Sequence, residues 1–272
     1  MTTHSEKTQL SLKNIEDIIC CPGGLEVQDK EFLGDLSKTI SWREMMVKLG
    51  LDGFIVYKNK TPRGFIEYMP AETAPIPIEA PGSAVIMCFH WATSDEDDEE
   101  EHHREEKKMV NLLIEETKDH YNGLAVLGWD HDVHFPIDMF KELGFKIIEK
   151  QDHISLMYIA FGGSSKNISL MGPNFEPRDL SDEGKVAVDV GFSHRCPYSI
   201  HHKTKVKKAV GELNLDEVEL KINKIDNREE AVEYSISSWN WDWVFINGEK
   251  VPVHKLEVEE IKDIIQEKAE GK

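Results

Sequence analysis

Residues 84–116 read AVIMCFHWATSDEDDEEEHHREEKKMVNLLIEE. The first seven, 84–90, are almost uniformly apolar, the pattern of a strand buried on both faces. From residue 109 the apolar residues Met109, Val110, Leu112, Leu113 and Ile114 recur at helical spacing, which predicts a helix over about 105–120. A central strand followed by an amphipathic helix is the unit of an α/β domain. The corner between them is unusual. Residues 95–101 are seven consecutive acids, followed by His102 and His103. Strand-to-helix corners that cradle phosphate use glycine and the helix N-terminus. This one offers carboxylates.

The elements on either side extend the pattern. GFIVY at 53–57 and GFIEYM at 64–69 read as a hairpin joined by the turn KNKTPRG. The segment 70–82 carries four prolines and cannot be helical. After the acidic helix come a buried strand at 124–127 and a short helix opened by Pro136 and closed by Gly144. Strands are then predicted at 145–150 and 153–161. The stretch 162–184 is rich in Gly, Ser and Pro and marks a boundary. A second pattern follows: a strand at 185–190, a helix from Cys196-Pro197 to about 210, a strand at 218–225, a short helix at 227–234, a hairpin around Asn247-Gly248 and a closing amphipathic helix. The division reads as a 1–29 extension, a 30–161 domain, a 162–184 linker and a 185–272 domain.

A chain of 272 residues with 40% hydrophobic residues has room for two cores. Its net charge of −19 argues against nucleic acid and anionic membranes as partners, since both call for clustered Lys and Arg. No apolar run nears the ~20 residues of a membrane helix. The polar start MTTHSEKTQLSLKNIEDI lacks a signal-peptide core. Four sparse cysteines suit a reducing compartment, so a cytoplasmic setting is expected.

The order hairpin, central strand, helix, strand and short helix ending FKELGFK (140–146) resembles the GNAT acetyltransferase superfamily. Cys20-Cys21, FIEYMPAETA (65–74), EAPG (79–82) and NLLIEE (111–116) resemble a subgroup with a YoaP-like C-terminal domain. There, the strand, Cys-Pro and helix over 185–210 look thioredoxin-like. The fold class expected is therefore a GNAT-like mixed sheet domain followed by a smaller thioredoxin-like α/β domain. The resemblance implies acyl transfer from acetyl-CoA to an amine on a small molecule or protein. It also implies that Cys88, Phe89, His90 and Asn111 border the cofactor.

Two departures stand against that. Aligned on NLLIEE, HREEKKMV (103–110) falls where the family has its glycine-rich pyrophosphate loop. Residues 95–108 hold nine acids against three basic residues. Like charges ~4 Å apart cost on the order of 1–4 kcal/mol in solvent-like surroundings. Phe140 stands where the family often has a tyrosine that protonates the leaving thiolate, and phenylalanine has no proton to give. CoA binding is expected to be weak or lost, and a non-catalytic protein that binds a partner or a metal is the alternative.

Three further features carry chemistry. His102 and His103 with the acids are a candidate divalent-metal site, while the same run reads as a solvated stretch of like charge. Cys196 in SHRCPYS (193–199) sits at a helix start among cationic residues, a setting that activates thiols, and is the candidate catalytic residue. A plain buried cysteine is the alternative. The second position of a redox pair is Ser199, and Ser238 stands near the usual cis-proline. Cys20-Cys21 reads as a packing pair or as collaborating thiols, and Trp239, Trp241 and Trp243 as one face of a strand.

Overall fold

The computed structural model describes residues 5–20, 30–92, 99–130, 135–151, 154–162, 167–172, 174–234 and 243–271. The chain forms two compact units. One comprises residues 1–25 and 43–171, the other 26–42 and 172–272.

The elements, in chain order, begin with β1 (Ser5–Gln9), α1 (Lys30–Val47), β2 (Asp52–Lys58) and β3 (Thr61–Pro70). Then come β4 (Ile78–Glu79), β5 (Ala84–Trp91), α2 (Glu99–Thr117), β6 (Gly123–Trp129) and α3 (Ile137–Glu142), followed by β7 (Lys146–Gln151), β8 (Ile154–Ala160) and β9 (Ser169–Leu170). The main sheet of the first unit runs β1-β2-β3-β5-β6-β8-β7. All its pairings are antiparallel except β5 with β6. Every residue of β6 is buried, and in β5 only His90 is not, as expected for strands covered on both faces. On α2 the inward residues are Glu106, Met109, Val110, Leu113 and Thr117, whereas Leu112 is solvent-exposed.

Two features of this unit differ from the sequence expectation. Ser5–Gln9 is an edge strand paired with β2, although SEKTQ shows no apolar alternation. An edge strand with little buried surface needs none. Helix α2 begins at Glu99, six residues before the expected 105. Glutamate is a good helix former, and carboxylates in a first turn are stabilised by the helix dipole. The acids therefore extend the helix where their net charge suggested a loop. Residues 93–98, which complete the corner, lie outside the described residues.

The second unit continues with β10 (Val186–Phe192), α4 (Pro197–Leu213), β11 (Val218–Lys224), α5 (Arg228–Tyr234), β12 (Val244–Ile246), β13 (Glu249–Lys250) and α6 (Val258–Ala269). Its sheet runs β11-β10-β12-β13. β10 is parallel to β11 and antiparallel to β12, and β12 and β13 form a hairpin. Asn247 and Gly248 both have positive φ, 43° and 78°, the geometry of a two-residue hairpin turn. Val188, Val190, Val206, Ile246, Ile261 and Ile265 are among the residues that fill its core. Trp243 is buried against Phe175, Tyr234 and Phe245. Trp239 and Trp241 lie outside the described residues. Among the described residues no helix is long and apolar enough to cross a membrane.

Candidate functional site

The main sheet comes apart at its centre. β5 and β6 pair in parallel only at Ala84–Leu124 and Val85–Ala125, although β5 continues to Trp91 and β6 to Trp129. β5 stays laddered to β3 and β6 to β8 over their lengths, so the two halves of the sheet diverge from Val85 and Ala125 onward. A bulge lies at the same level. Glu67 pairs with Cys88 and Tyr68 with Ile86, leaving Met87 as the extra residue on β5. Bulges bend and twist a strand and collect beside functional sites.

Beyond the divergence, Phe135 links the two strands. Its carbonyl accepts a hydrogen bond from Trp129 N–H at 2.9 Å. Its ring lies 4.6 Å from that of Phe89, which also meets Phe140 at 5.9 Å. Phe135 is fully buried and has φ 52°, a strained conformation for a bulky residue that its packing and this hydrogen bond support. Phe140 is likewise fully buried, in ring contact with Phe89, Phe135 and Phe145.

Polar groups gather at the end of β5. His90 is partly buried, and desolvation, with His102 adding a smaller effect, pulls its pKa down to about 4. The Trp91 carbonyl accepts a hydrogen bond from His102 Nδ1 at 2.9 Å. A carbonyl only accepts, so Nδ1 carries the proton and Nε2 the lone pair. His102 Nε2 lies 3.3 Å from Glu106 Oε1. Glu106 is 5% exposed. Desolvation pushes its pKa up to about 8, against a smaller opposing effect of the Trp91 backbone. The potential ligand atoms of His102, His103 and Glu106 all lie within 4.8 Å of one another.

Of the residues expected at a cofactor, Cys88 is buried at the bulge, and Phe89 and His90 follow it past the divergence. Asn111 is exposed on α2, twelve residues and about 18 Å along the axis from the helix start, and so further from it than the expected start implied. Glu106 was missed. Its signal, histidine and glutamate at i and i+4, is legible only once the helix is seen to begin at Glu99.

In the second unit Cys196 is the half-buried N-cap of α4, with Pro197 as the first helical residue. The loop before it is tied to Asp226. That carboxylate accepts from Ser193 Oγ at 3.2 Å and His194 N at 2.9 Å, and pairs with His194 Nδ1 at 2.6 Å. Burial pushes the Asp226 pKa upward, but the His194 contacts and Lys224 together outweigh it and leave the group below its usual value. Ser199 is buried and its Oγ accepts from Ser193 N at 3.0 Å, so the second redox position is a structural hydrogen-bond acceptor. The Cys20 side chain, Cys21 and Ser238 lie outside the described residues. Cys196 is expected to be alkylated fastest of the described thiols near neutral pH, because Cys88 is only 8% exposed. Cys196→Ser should remove most of the fast phase in an iodoacetamide time course. If it does not, Cys196 is a structural cysteine.

No family model matches the sequence. The chain is 21% identical over 268 residues to a Bacillus subtilis (strain 168) protein described as "Uncharacterized N-acetyltransferase YoaP", covering 94% of this chain and 97% of the relative. Among solved structures, aminoglycoside 6'-acetyltransferase type Ii covers 57% of this chain and 97% of its own at 12% identity and a TM-score of 0.41. The PaiA N-acetyltransferase of Thermoplasma acidophilum, in complex with coenzyme A, covers 58% and 99% at 12% identity and a TM-score of 0.40. Structural likenesses of this size decide neither fold nor activity.

Proposed function

We propose that the first unit is a GNAT-type acetyltransferase domain that moves an acetyl group from acetyl-CoA to an amine. The second unit, in this reading, is a thioredoxin-like domain presenting Cys196. The observation that carries the reading is the divergence of β5 from β6 beside the Met87 bulge. It opens a slot between two strands in which an extended thioester arm can lie along main chain. The full-length relative described as an N-acetyltransferase supports it. For the second unit, support comes from the strand order β11-β10-β12-β13 with one parallel pair, and from a cysteine at the start of the helix after β10.

In this mechanism the pantetheine arm runs beside Cys88, Phe89 and His90. The acceptor amine attacks the thioester carbonyl, and the carbon–sulfur bond breaks to release CoA thiolate. Phe140 is sealed in an aromatic cluster, so α3 gives no proton at that position and the thiolate takes one from water. His90, with its pKa near 4, stays neutral at pH 7 and is too weak a base to hold the amine's proton, which passes to water. The acceptor is a small-molecule or protein amine.

The acids of α2 favour a second reading, in which the fold has lost CoA and binds a partner protein. Acetyl-CoA titration by calorimetry, with chelator present, separates the two. A pyrophosphate near Glu99–Glu101 is repelled, and salt relieves that repulsion because the screening length falls from about 10 Å at 0.1 M to about 3 Å at 1 M. Saturable but weak binding that tightens several-fold over this range is expected. Tighter binding at low salt would show an attractive phosphate cradle after all. The absence of saturable heat at every salt concentration would refute acyl-CoA use.

A further inference from the structure

Trp91, the last residue of β5, has its main-chain carbonyl aimed at a side chain of α2. The carbonyl accepts from His102 Nδ1 at 2.9 Å. The imidazole is thereby turned toward Glu106, with His102 Nε2 3.3 Å from Glu106 Oε1. Two ligands of one tetrahedral ion, each about 2.0–2.2 Å from it, stand at about that separation. His103 belongs to the same helical turn, and its ligand atom lies within 4.8 Å of the other two. His103 is only partly buried, which leaves its ring room to turn toward the other two.

We propose that His102, His103 and Glu106 form a binding site for a divalent transition-metal ion. Metal-ligating histidines are oriented by a hydrogen bond from the other ring nitrogen to a carbonyl or carboxylate, which fixes the tautomer. The Trp91 carbonyl supplies that bond for His102. That carbonyl belongs to a central strand, which is the rigid support a preorganised site needs. Two imidazoles with one carboxylate suit zinc, cobalt or nickel and are a poor match for calcium or magnesium, which take mostly oxygen. His102 and His103 are both partly exposed, which gives an ion a path in and leaves coordination positions for water or a further ligand. Glu100 and Glu101 on the preceding turn add negative potential that draws cations to the site. The proposal concerns binding, and it stands or falls independently of acyl transfer.

The test uses the tag-free full chain, stripped with chelator and titrated with Co²⁺ while visible absorption is recorded, with Zn²⁺ as competitor. One equivalent of Co²⁺ should produce d–d bands that Zn²⁺ abolishes. His102→Ala and Glu106→Gln should each weaken binding about 100-fold or more, beyond the upper end of what orienting residues contribute. His120→Ala, at an exposed histidine after α2, should change nothing. Unfolding midpoints recorded for each variant identify any that misfolds. Should Glu106→Gln do so, His103→Ala, at a less buried position, takes its place and should still weaken binding at least tenfold. A parent chain that takes up no Co²⁺ saturably would overturn the proposal. So would one-equivalent binding that persists in the His102→Ala/His103→Ala double variant.

Discussion

Arg43→Met should destabilise the chain by about 3–5 kcal/mol, the usual cost of removing one member of a buried ion pair. Arg43, near the end of α1, is 4% exposed, and Glu67 of β3 is fully buried. The guanidinium donates from Nε to Glu67 Oε2 at 3.0 Å and from Nη2 to Oε1 at 3.4 Å. Without it the carboxylate stays in the interior and loses the charge of that guanidinium. Most of the loss is therefore desolvation that is no longer offset, and it is only partly a measure of the pair's own worth. The double variant Arg43→Met/Glu67→Leu removes both charges and should recover most of the stability. Urea unfolding of the parent, both single variants and the double variant supplies the cycle. Were Arg43→Met to cost less than ~1 kcal/mol, as at an exposed pair, the pair would be solvated and this account wrong. The pair also matters to the site, because Glu67 lies opposite Cys88 at the β5 bulge.

How much of this was legible in the sequence depends on the range of the interaction concerned. The strand at 84–90 announced itself because burial on both faces leaves a continuous apolar run. The Asn247-Gly248 turn and the Gly144 stop, with φ 91°, are local backbone requirements and were readable as such. The start of α2 was misjudged because charge and helix propensity point in opposite directions over 95–101, and propensity together with the helix dipole prevailed from Glu99. That shift hid Glu106 among the acids, although His102 and Glu106 have ligand spacing.

Other features had no local signal. The divergence of β5 from β6 is a matter of register between strands separated by a helix. The Met87 bulge is visible only against β3. Asp226 reaches the Cys196 loop from 32 positions past His194, and Arg43 meets Glu67 across 24. No periodicity links either pair. What the sequence could convey was the residue types of the site, and folding supplied their neighbours, above all the Trp91 main chain.

Glu106 also leaves a mark on stability that requires no ligand. In the chain stripped of divalent cations, stability should fall as pH rises from 6.5 to about 8, and Glu106→Gln should flatten that decline. Burial moves the carboxyl from its usual 4.5 to about 8 in the folded chain. Between these values the folded state binds more protons than the unfolded one, so stability decreases with rising pH. The contribution is complete below 4.5 and is lost as pH passes through 8. His90 acts in the opposite sense. Its pKa drops from 6.5 to about 4, so the unfolded state takes up its proton first, and stability is lost as pH falls through that range. The two effects oppose each other between about 4.5 and 6.5. Above 6.5 only Glu106 titrates of the pair, and at 1.36 kcal/mol per unit the remaining span corresponds to about 2 kcal/mol. Urea unfolding at half-unit steps from pH 5 to 9 resolves a change of that size. A difference between parent and Glu106→Gln that is level from 6.5 to 8 would mean that Glu106 is already ionised in the folded state, in contact with water that its burial against Trp91 and α2 should exclude.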